Sequence, residues 1–229
     1  MFAPDAPRRE PVPTTDGMPL TRVAVNGQPI RAAPATASAN RAPAGTYVID
    51  NTVLWIALSS PLSPNDSVSL DVAWSYAPAP SPSDGRQGRE SDVYVAGYWY
   101  PQIAVYDDVN GWVADPYLLE AEFYMEPADY DVRVTAPRGW VVGATGTLVN
   151  ADSILSSTAR ARLADARRTG DVVHVVTPAP DASAALAGRA ATATWHFTAA
   201  NVRDFAWGAG NHSVWDATRA LVRRGDAAA

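Results

Sequence analysis

A chain of 229 residues with 47% apolar residues is long enough to bury one large hydrophobic core or two smaller ones. Its formal net charge of −6 argues against nucleic acid as a partner, because phosphate binding needs clustered basic residues. The absence of cysteine excludes disulfides, thiolate catalysis and zinc held by cysteine.

The first 19 residues are rich in proline and charge, which predicts an extended or disordered segment. They lack the basic-then-apolar order of a signal peptide. No stretch of the chain reaches the ~18 apolar residues that a transmembrane helix needs. The sequence therefore predicts no transmembrane segment and leaves the compartment open.

The next residues read as short strands separated by turns. Asn26-Gly27, between two apolar runs, predicts a two-residue hairpin, and residues 31–45 predict a loop. TYVIDNTVLWIALS reads as one or two strands. In SVSLDVAWSY, apolar side chains from Val68 to Tyr76 alternate with polar or small ones, which predicts a half-buried antiparallel strand.

The later segments continue the series, and GATG (143–146) is typical of a tight turn between strands. Strands are predicted within VYVAGYWY, EAEFYME, DVRVTAP, WVVGATG, VVHVVTP, TATWHFTA, VRDFAWGAG and HSVWDA. Residues 152–168, with Asp152 as a candidate N-cap, favour a helix or an ordered loop. The pattern predicts an all-β domain over residues 20–216, an antiparallel β-sandwich or saddle-like curved sheets with at most one short helix.

The sequence contains few candidate catalytic residues. His174, His196 and His212 lie far apart in strand-like runs without the spacing of a zinc site, so structural or surface roles are favoured. No nucleophile elbow, phosphate-binding loop or dinucleotide fingerprint occurs. These absences leave no catalytic residue and no metal ligand to assign in this chain.

An acidic run without any basic residue is the strongest electrostatic feature of the sequence. Its eight members are Asp107, Asp108, Asp115, Glu120, Glu122, Glu126, Asp129 and Asp131. A hard-cation site, attraction of a peptide's amino terminus, a glycosidase pair and plain solvated loops are all compatible with such a run.

The ordered segments WYPQIAVYDDVNGW, DPYLLEAEFY, DYDVRVTAPRGWVVGATGTLVN and TWHFTAANVRDFAWGAG together resemble the N-terminal β-domain of bacterial zinc aminopeptidases of the aminopeptidase N type, peptidase family M1. The resemblance runs from about Leu54 to Trp215. The family's Gly-x-Met-Glu-Asn loop and His-Glu-x-x-His zinc motif do not occur. The resemblance therefore implies a fragment, with 217–229 beginning a linker to a zinc-binding catalytic domain.

The resemblance also implies roles for particular residues. Glu90 and Asp92 lie near the position from which the family's β-domain holds a substrate's amino group. Another set matches the turn that closes this domain against the catalytic domain, with the two aspartates fixing the turn or facing that domain: Trp99, Pro101, Gln102, Asp107 and Asp108. The implied partners are the catalytic domain and a peptide substrate, and an extracytoplasmic or membrane-associated parent fits the family.

Two other classes compete with this interpretation. A free-standing β-sandwich could bind carbohydrate or protein through exposed aromatics, and it predicts Trp99 and Trp112 exposed and coplanar. The peptidase interpretation expects both side chains to pack inward. A scaffold domain would instead meet a basic partner through its acidic patch, with binding that weakens in salt.

Overall fold

The computed structural model of the chain describes residues 15–80, 86–115, 124–177 and 191–220. Within these residues it contains seventeen β-strands, two α-helices and one turn of 3-10 helix. All of the paired strands except one pair run antiparallel, which confirms the predicted all-β class. No helix in the described ranges combines the length and apolarity needed to cross a bilayer.

The elements follow one another as short strands, with both helices late in the chain. The strands are β1 (Leu20–Val25), β2 (Gln28–Pro29), β3 (Arg31–Ala32), β4 (Thr46–Asp50), β5 (Val53–Ala57), β6 (Leu70–Trp74), β7 (Gln87–Glu90), β8 (Val93–Ala96), β9 (Val105–Asp107), β10 (Gly111–Val113), β11 (Ala128–Pro137), β12 (Val141–Ala144), β13 (Thr147–Leu148), β14 (Val173–Val176), β15 (Thr192–Val202), β16 (Trp207–Gly210) and β17 (Trp215–Ala217). The helices are α1 (Ala151–Ile154) and α2 (Ser157–Thr169).

The chain forms two compact units that alternate along the sequence. The first consists of Met1–Pro78 and Tyr100–Glu126, and the second of Ala79–Trp99 and Pro127–Ala229. The sequence-based boundary of one domain over residues 20–216 remains a prediction.

The first unit contains three small sheets, ordered β2-β1-β6, β3-β4-β5 and β10-β9. The predicted Asn26-Gly27 hairpin is confirmed, with φ of 49° and 76° at its two turn residues, the left-handed conformation that Asn and Gly tolerate best. TYVIDNTVLWIALS forms two strands, β4 and β5, joined at Asn51 and Thr52. The strand predicted from Val68 to Tyr76 is shorter, since pairing with β1 covers only Leu70–Trp74.

The second unit has a central long strand, β15, flanked by β11 and β13. Alternation along β11 and β15 places the apolar side chains on one face, where Trp195 is completely buried and Phe197 is 4% exposed. Their rings stack with centroids 6.5 Å apart. A second sheet has the order β12-β16-β8-β7, and β14 pairs with β17.

The helical segment is confirmed, but its predicted cap is wrong. α2 begins after Ser156, whose hydroxyl accepts a hydrogen bond from the backbone N–H of Ala159. Asp152, the predicted cap, lies inside the preceding turn α1 and pairs with Arg160 at 3.0 Å. α2 ends at Gly170, in the left-handed conformation that favours glycine after a helix, and packs against β14.

The strand predicted within EAEFYME is only partly testable. Residues 120–123 of this segment lie outside the described part of the chain. Tyr124, Met125 and Glu126 are described and have no strand pairing, so the prediction is wrong for them. The nearest strand, β11, begins at Ala128, where pairing with Val202 at the end of β15 becomes possible.

Candidate functional site

The two predicted substrate-binding acids lie at the tip of the β7–β8 hairpin. Glu90 is the last residue of β7 and pairs with Val93, so Ser91 and Asp92 form the two-residue turn. Ser91 has a φ of 51°. Glu90 and Asp92 are both exposed, and within the described residues neither carboxylate forms a hydrogen bond or ion pair. The tip of the hairpin therefore carries two solvated carboxylates, two positions apart in the sequence.

Trp99 is anchored inside the second unit. Its Nε1 donates a hydrogen bond of 2.8 Å to the carbonyl oxygen of Phe205. Its ring meets the ring of Trp207 edge to face, with centroids 6.2 Å apart. This half-buried position fits the inward packing that the peptidase interpretation expects, and it commits the indole N–H to the backbone.

The residues after Trp99 belong to the first unit. Pro101 is exposed, and Gln102 is half-buried with its Nε2 donating to the hydroxyl of Tyr100 at 3.1 Å. Neither residue lies in a strand. Their predicted role in closing the domain against a catalytic domain remains a prediction.

Asp107 organises the turn between β9 and β10. One carboxylate oxygen accepts hydrogen bonds from the backbone N–H groups of Val109 and Asn110, at 3.0 and 2.6 Å. The Asn110 N–H donation is the main cause that lowers the pKa of Asp107 below its ordinary value. Asp108 is exposed, and among the described residues its carboxylate has no partner. Asp107 thus has a structural role in the turn, whereas Asp108 faces solvent.

The same hairpin carries an exposed aromatic pair, Tyr106 and Trp112. The peptidase interpretation expected Trp112 to pack inward, and that expectation is wrong. Tyr106 and Trp112 face each other across the two strands, with ring centroids 5.2 Å apart and an angle of 70° between the rings. Tyr106 is 64% exposed and Trp112 is 56% exposed. Their position in the two strands could have indicated this exposure. Each ring lies between the residue that borders the turn and the next residue of its strand, so it points to the face opposite that of the buried Val105.

Among the described residues, the other members of the acidic run do not converge on one site. Asp129 accepts a hydrogen bond from the backbone N–H of Asn201 at 2.8 Å. Asp131 contacts His196 Nε2 at 2.9 Å and Arg133 Nη1 at 2.6 Å. The hydrogen bond with His196 is the first cause that lowers the pKa of Asp131, followed by the charge of Arg133. Glu120 and Glu122 lie outside the described residues.

The histidines occupy surface and sheet positions, and none is grouped with another. His174 Nδ1 lies 2.6 Å from a carboxylate oxygen of Asp216, its cross-strand partner, and His212 is exposed. Among the described residues, no three His, Asp or Glu side chains are arranged to hold a metal ion. Exposed carboxylates and aromatic faces are therefore the chemistry that these surfaces offer, and both attract cationic groups.

Comparison with known proteins adds no relative: no protein-family model, curated protein or solved structure matches this chain.

Proposed function

We propose that this chain is the non-catalytic N-terminal β-domain of a zinc-dependent metallopeptidase of the M1 aminopeptidase type, and that it helps to orient a peptide substrate by its amino terminus. The ordered sequence segments support the family assignment, and the all-β fold is compatible with it. The observation that carries the binding role is the β7–β8 hairpin, which presents Glu90 and Asp92 to solvent without any competing basic partner among the described residues.

The zinc of such an enzyme would belong to its catalytic domain. The described residues of this chain do not fit a zinc site, because no three potential ligands converge among them. The partner in this proposal is therefore the catalytic domain, which binds the zinc and positions the peptide bond that is cleaved. The hairpin contributes only charge and position.

The expected affinity of the hairpin alone is low. Two unit charges 4 Å apart attract by about 1 kcal/mol in bulk water, and both carboxylates are solvated. The two carboxylates together contribute about 2 kcal/mol, so binding of a free peptide to the isolated chain is expected with a Kd on the order of tens of millimolar. A catalytic domain would strengthen it by excluding water around the same charges.

The test is an NMR titration of the 229-residue chain with a trialanine peptide that has a free amino terminus. We expect the backbone amides of Glu90, Ser91 and Asp92 to shift, and the shifts to disappear with the N-acetylated peptide. They should also decline above about pH 8, where the α-amino group loses its proton.

The double variant Glu90→Gln with Asp92→Asn should abolish these shifts. The matched control is Asp71→Asn, which removes the same kind of charge from an exposed position of β6 in the other unit. Equal binding of the acetylated peptide, or an unchanged titration of the double variant, would contradict the amine-binding role.

The alternative, a free-standing β-sandwich that binds carbohydrate or protein, draws support from the exposed Tyr106–Trp112 pair. The carbohydrate form of that alternative expects Trp99 and Trp112 to be coplanar and exposed. Trp99 is instead hydrogen-bonded to Phe205, and the rings of Tyr106 and Trp112 meet at 70°. Protein binding is therefore the better-supported form of the alternative.

A further inference from the structure

The outer face of the β9–β10 hairpin is an exposed aromatic surface. Tyr106 and Trp112 project from this face as cross-strand partners, and both keep more than half of their surface in water. Val109, at the turn between them, is 83% exposed. Clustered aromatic exposure of this kind marks interaction surfaces more often than isolated apolar residues do.

The hairpin surface is also acidic. Residues 100–115 contain three aspartates, Asp107, Asp108 and Asp115, and no Arg, Lys or His, so this segment has a formal charge of −3. The carboxylate of Asp107 accepts hydrogen bonds within the turn. The carboxylate of Asp108 is exposed and has no partner among the described residues. Charge complementarity therefore favours a cationic occupant.

The ring geometry selects among cationic groups. In the edge-to-face arrangement of Tyr106 and Trp112, at 70°, the two rings form a corner instead of one flat platform. A planar guanidinium can lie over the face of one aromatic ring while its N–H groups reach a carboxylate. The second unit contains the same kind of contact, with the guanidinium of Arg86 5.7 Å from the ring centroid of Tyr98.

We infer that the Tyr106–Trp112 face of this hairpin binds an arginine-bearing segment of a protein partner, with the guanidinium on the aromatic rings and Asp108 as its counter-charge. A neutral sugar fits the corner-shaped ring pair and the negative charge less well. This surface uses no residue of the β7–β8 hairpin, so it is independent of the proposed amine site.

The test uses an acetylated and amidated peptide with three arginines separated by glycines, titrated into the 229-residue chain and followed by NMR. Acetylation removes the free amino group, so Glu90 and Asp92 have no amine to bind. We expect shifts at the Trp112 indole and at the amides of Asp108 and Val109. The same peptide with citrulline, the neutral counterpart of arginine, should produce none.

Matched variants assign the contacts. Trp112→Ala should weaken binding by about two- to fivefold, the range of an exposed cation–π contact. Asp108→Asn, which breaks no hydrogen bond of the hairpin, should weaken it by about twofold, and Asp92→Asn should have no effect. If Trp112→Ala unfolds the hairpin, Trp112→Phe keeps the cross-strand ring and should still weaken binding.

Ionic strength and a sugar probe complete the design. Raising the ionic strength from about 0.01 to about 0.1 M shortens the Debye length from about 30 to about 10 Å, so it should weaken binding of the arginine peptide. Three outcomes would overturn the inference: no shifts at the hairpin, equal shifts with the citrulline peptide, or shifts of the same amides by a neutral hexasaccharide.

Discussion

The indole N–H of Trp99 is hydrogen-bonded to the carbonyl oxygen of Phe205 at 2.8 Å, across 106 positions of the sequence. Phe205 is completely buried, and its ring lies 5.9 Å from that of Tyr130 and 6.4 Å from that of Phe197. This hydrogen bond ties the segment after β8 to the aromatic core of the second unit.

Replacing Trp99 by Phe should destabilise the chain through this bond. The variant keeps an aromatic ring beside Trp207 but leaves the Phe205 carbonyl without its indole donor, which should cost about 1–2 kcal/mol of the free energy of unfolding. Urea denaturation followed by circular dichroism measures it. Trp112→Phe, on the exposed hairpin, is the control and should change stability by less than about 0.5 kcal/mol. Equal effects of the two variants would contradict the anchoring role.

The GATG turn offers a sharper comparison between two glycines three residues apart. Gly146 has a φ of +89°, and a Cβ there would collide with the backbone carbonyl of Thr198. Gly143 has no positive φ, and a Cβ there would meet open space. Gly146→Ala should therefore cost about 2 kcal/mol or more, and Gly143→Ala should be close to neutral. A similar thermal unfolding midpoint for both variants would contradict this account of the turn.

Much of the local structure was predictable because it depends on nearby residues. The Asn26-Gly27 hairpin follows from the left-handed conformation that both residues accept. Alternation within DVRVTAP and TATWHFTA shows which side chains share a face, and the structure confirms the apolar face of β11 and β15. Of the turn predicted at GATG, Thr145 and Gly146 do bend the chain, with glycine supplying the positive φ, whereas Gly143 and Ala144 belong to strand β12.

What the sequence did not predict depends on distant partners. The cap of α2 moved from Asp152 to Ser156 because only the latter directly precedes the helix whose N–H groups need an acceptor. The pairing of Arg133 with His196, which places His196 beside Asp131, depends on a register set more than 60 positions away. Trp112 has the residue type of a core position, yet its phase on a small two-stranded hairpin turns it to water.

The cluster of Asp131, His196 and Arg133 predicts a pH-dependent contribution to stability. The hydrogen bond from His196, together with the charge of Arg133, lowers the pKa of Asp131 below its ordinary value of 3.8. The folded state therefore favours the ionised carboxylate, so its contribution is present above about pH 3.8 and is lost as the pH falls through the lower folded value. Asp131→Asn should destabilise the chain near pH 6, and the difference from the native chain should shrink below about pH 3.8.

The measurement is the urea midpoint of both proteins across that pH range. The control repeats the comparison in a His196→Gln background, where the main cause of the lowered pKa is missing. There the effect of Asp131→Asn should be smaller near pH 6. A difference between native and Asp131→Asn proteins that stays constant down to low pH would contradict the linkage.

The adjacent acids Asp107 and Asp108 have different roles: Asp107 stabilises the turn, and Asp108 is the inferred counter-charge for the arginine. Asp107→Ala removes the acceptor for the N–H groups of Val109 and Asn110, so it should loosen the turn and raise the amide exchange rates of both residues. Asp108→Ala makes the same change of charge and breaks none of these bonds, so it should leave the exchange rates close to those of the native chain.

Hydrogen exchange followed by NMR measures this prediction, with the amide of Trp112 as a reporter on the far strand. Because Tyr106 and Trp112 are cross-strand partners, loosening the turn should also weaken their ring contact, and with it any ligand binding that depends on the ring pair. Asp107→Ala and Asp108→Ala should therefore both weaken binding of the arginine peptide. Only Asp107→Ala should also raise the amide exchange rate of Asn110. Faster exchange in both variants would show that Asp108 also holds the turn and would remove the distinction.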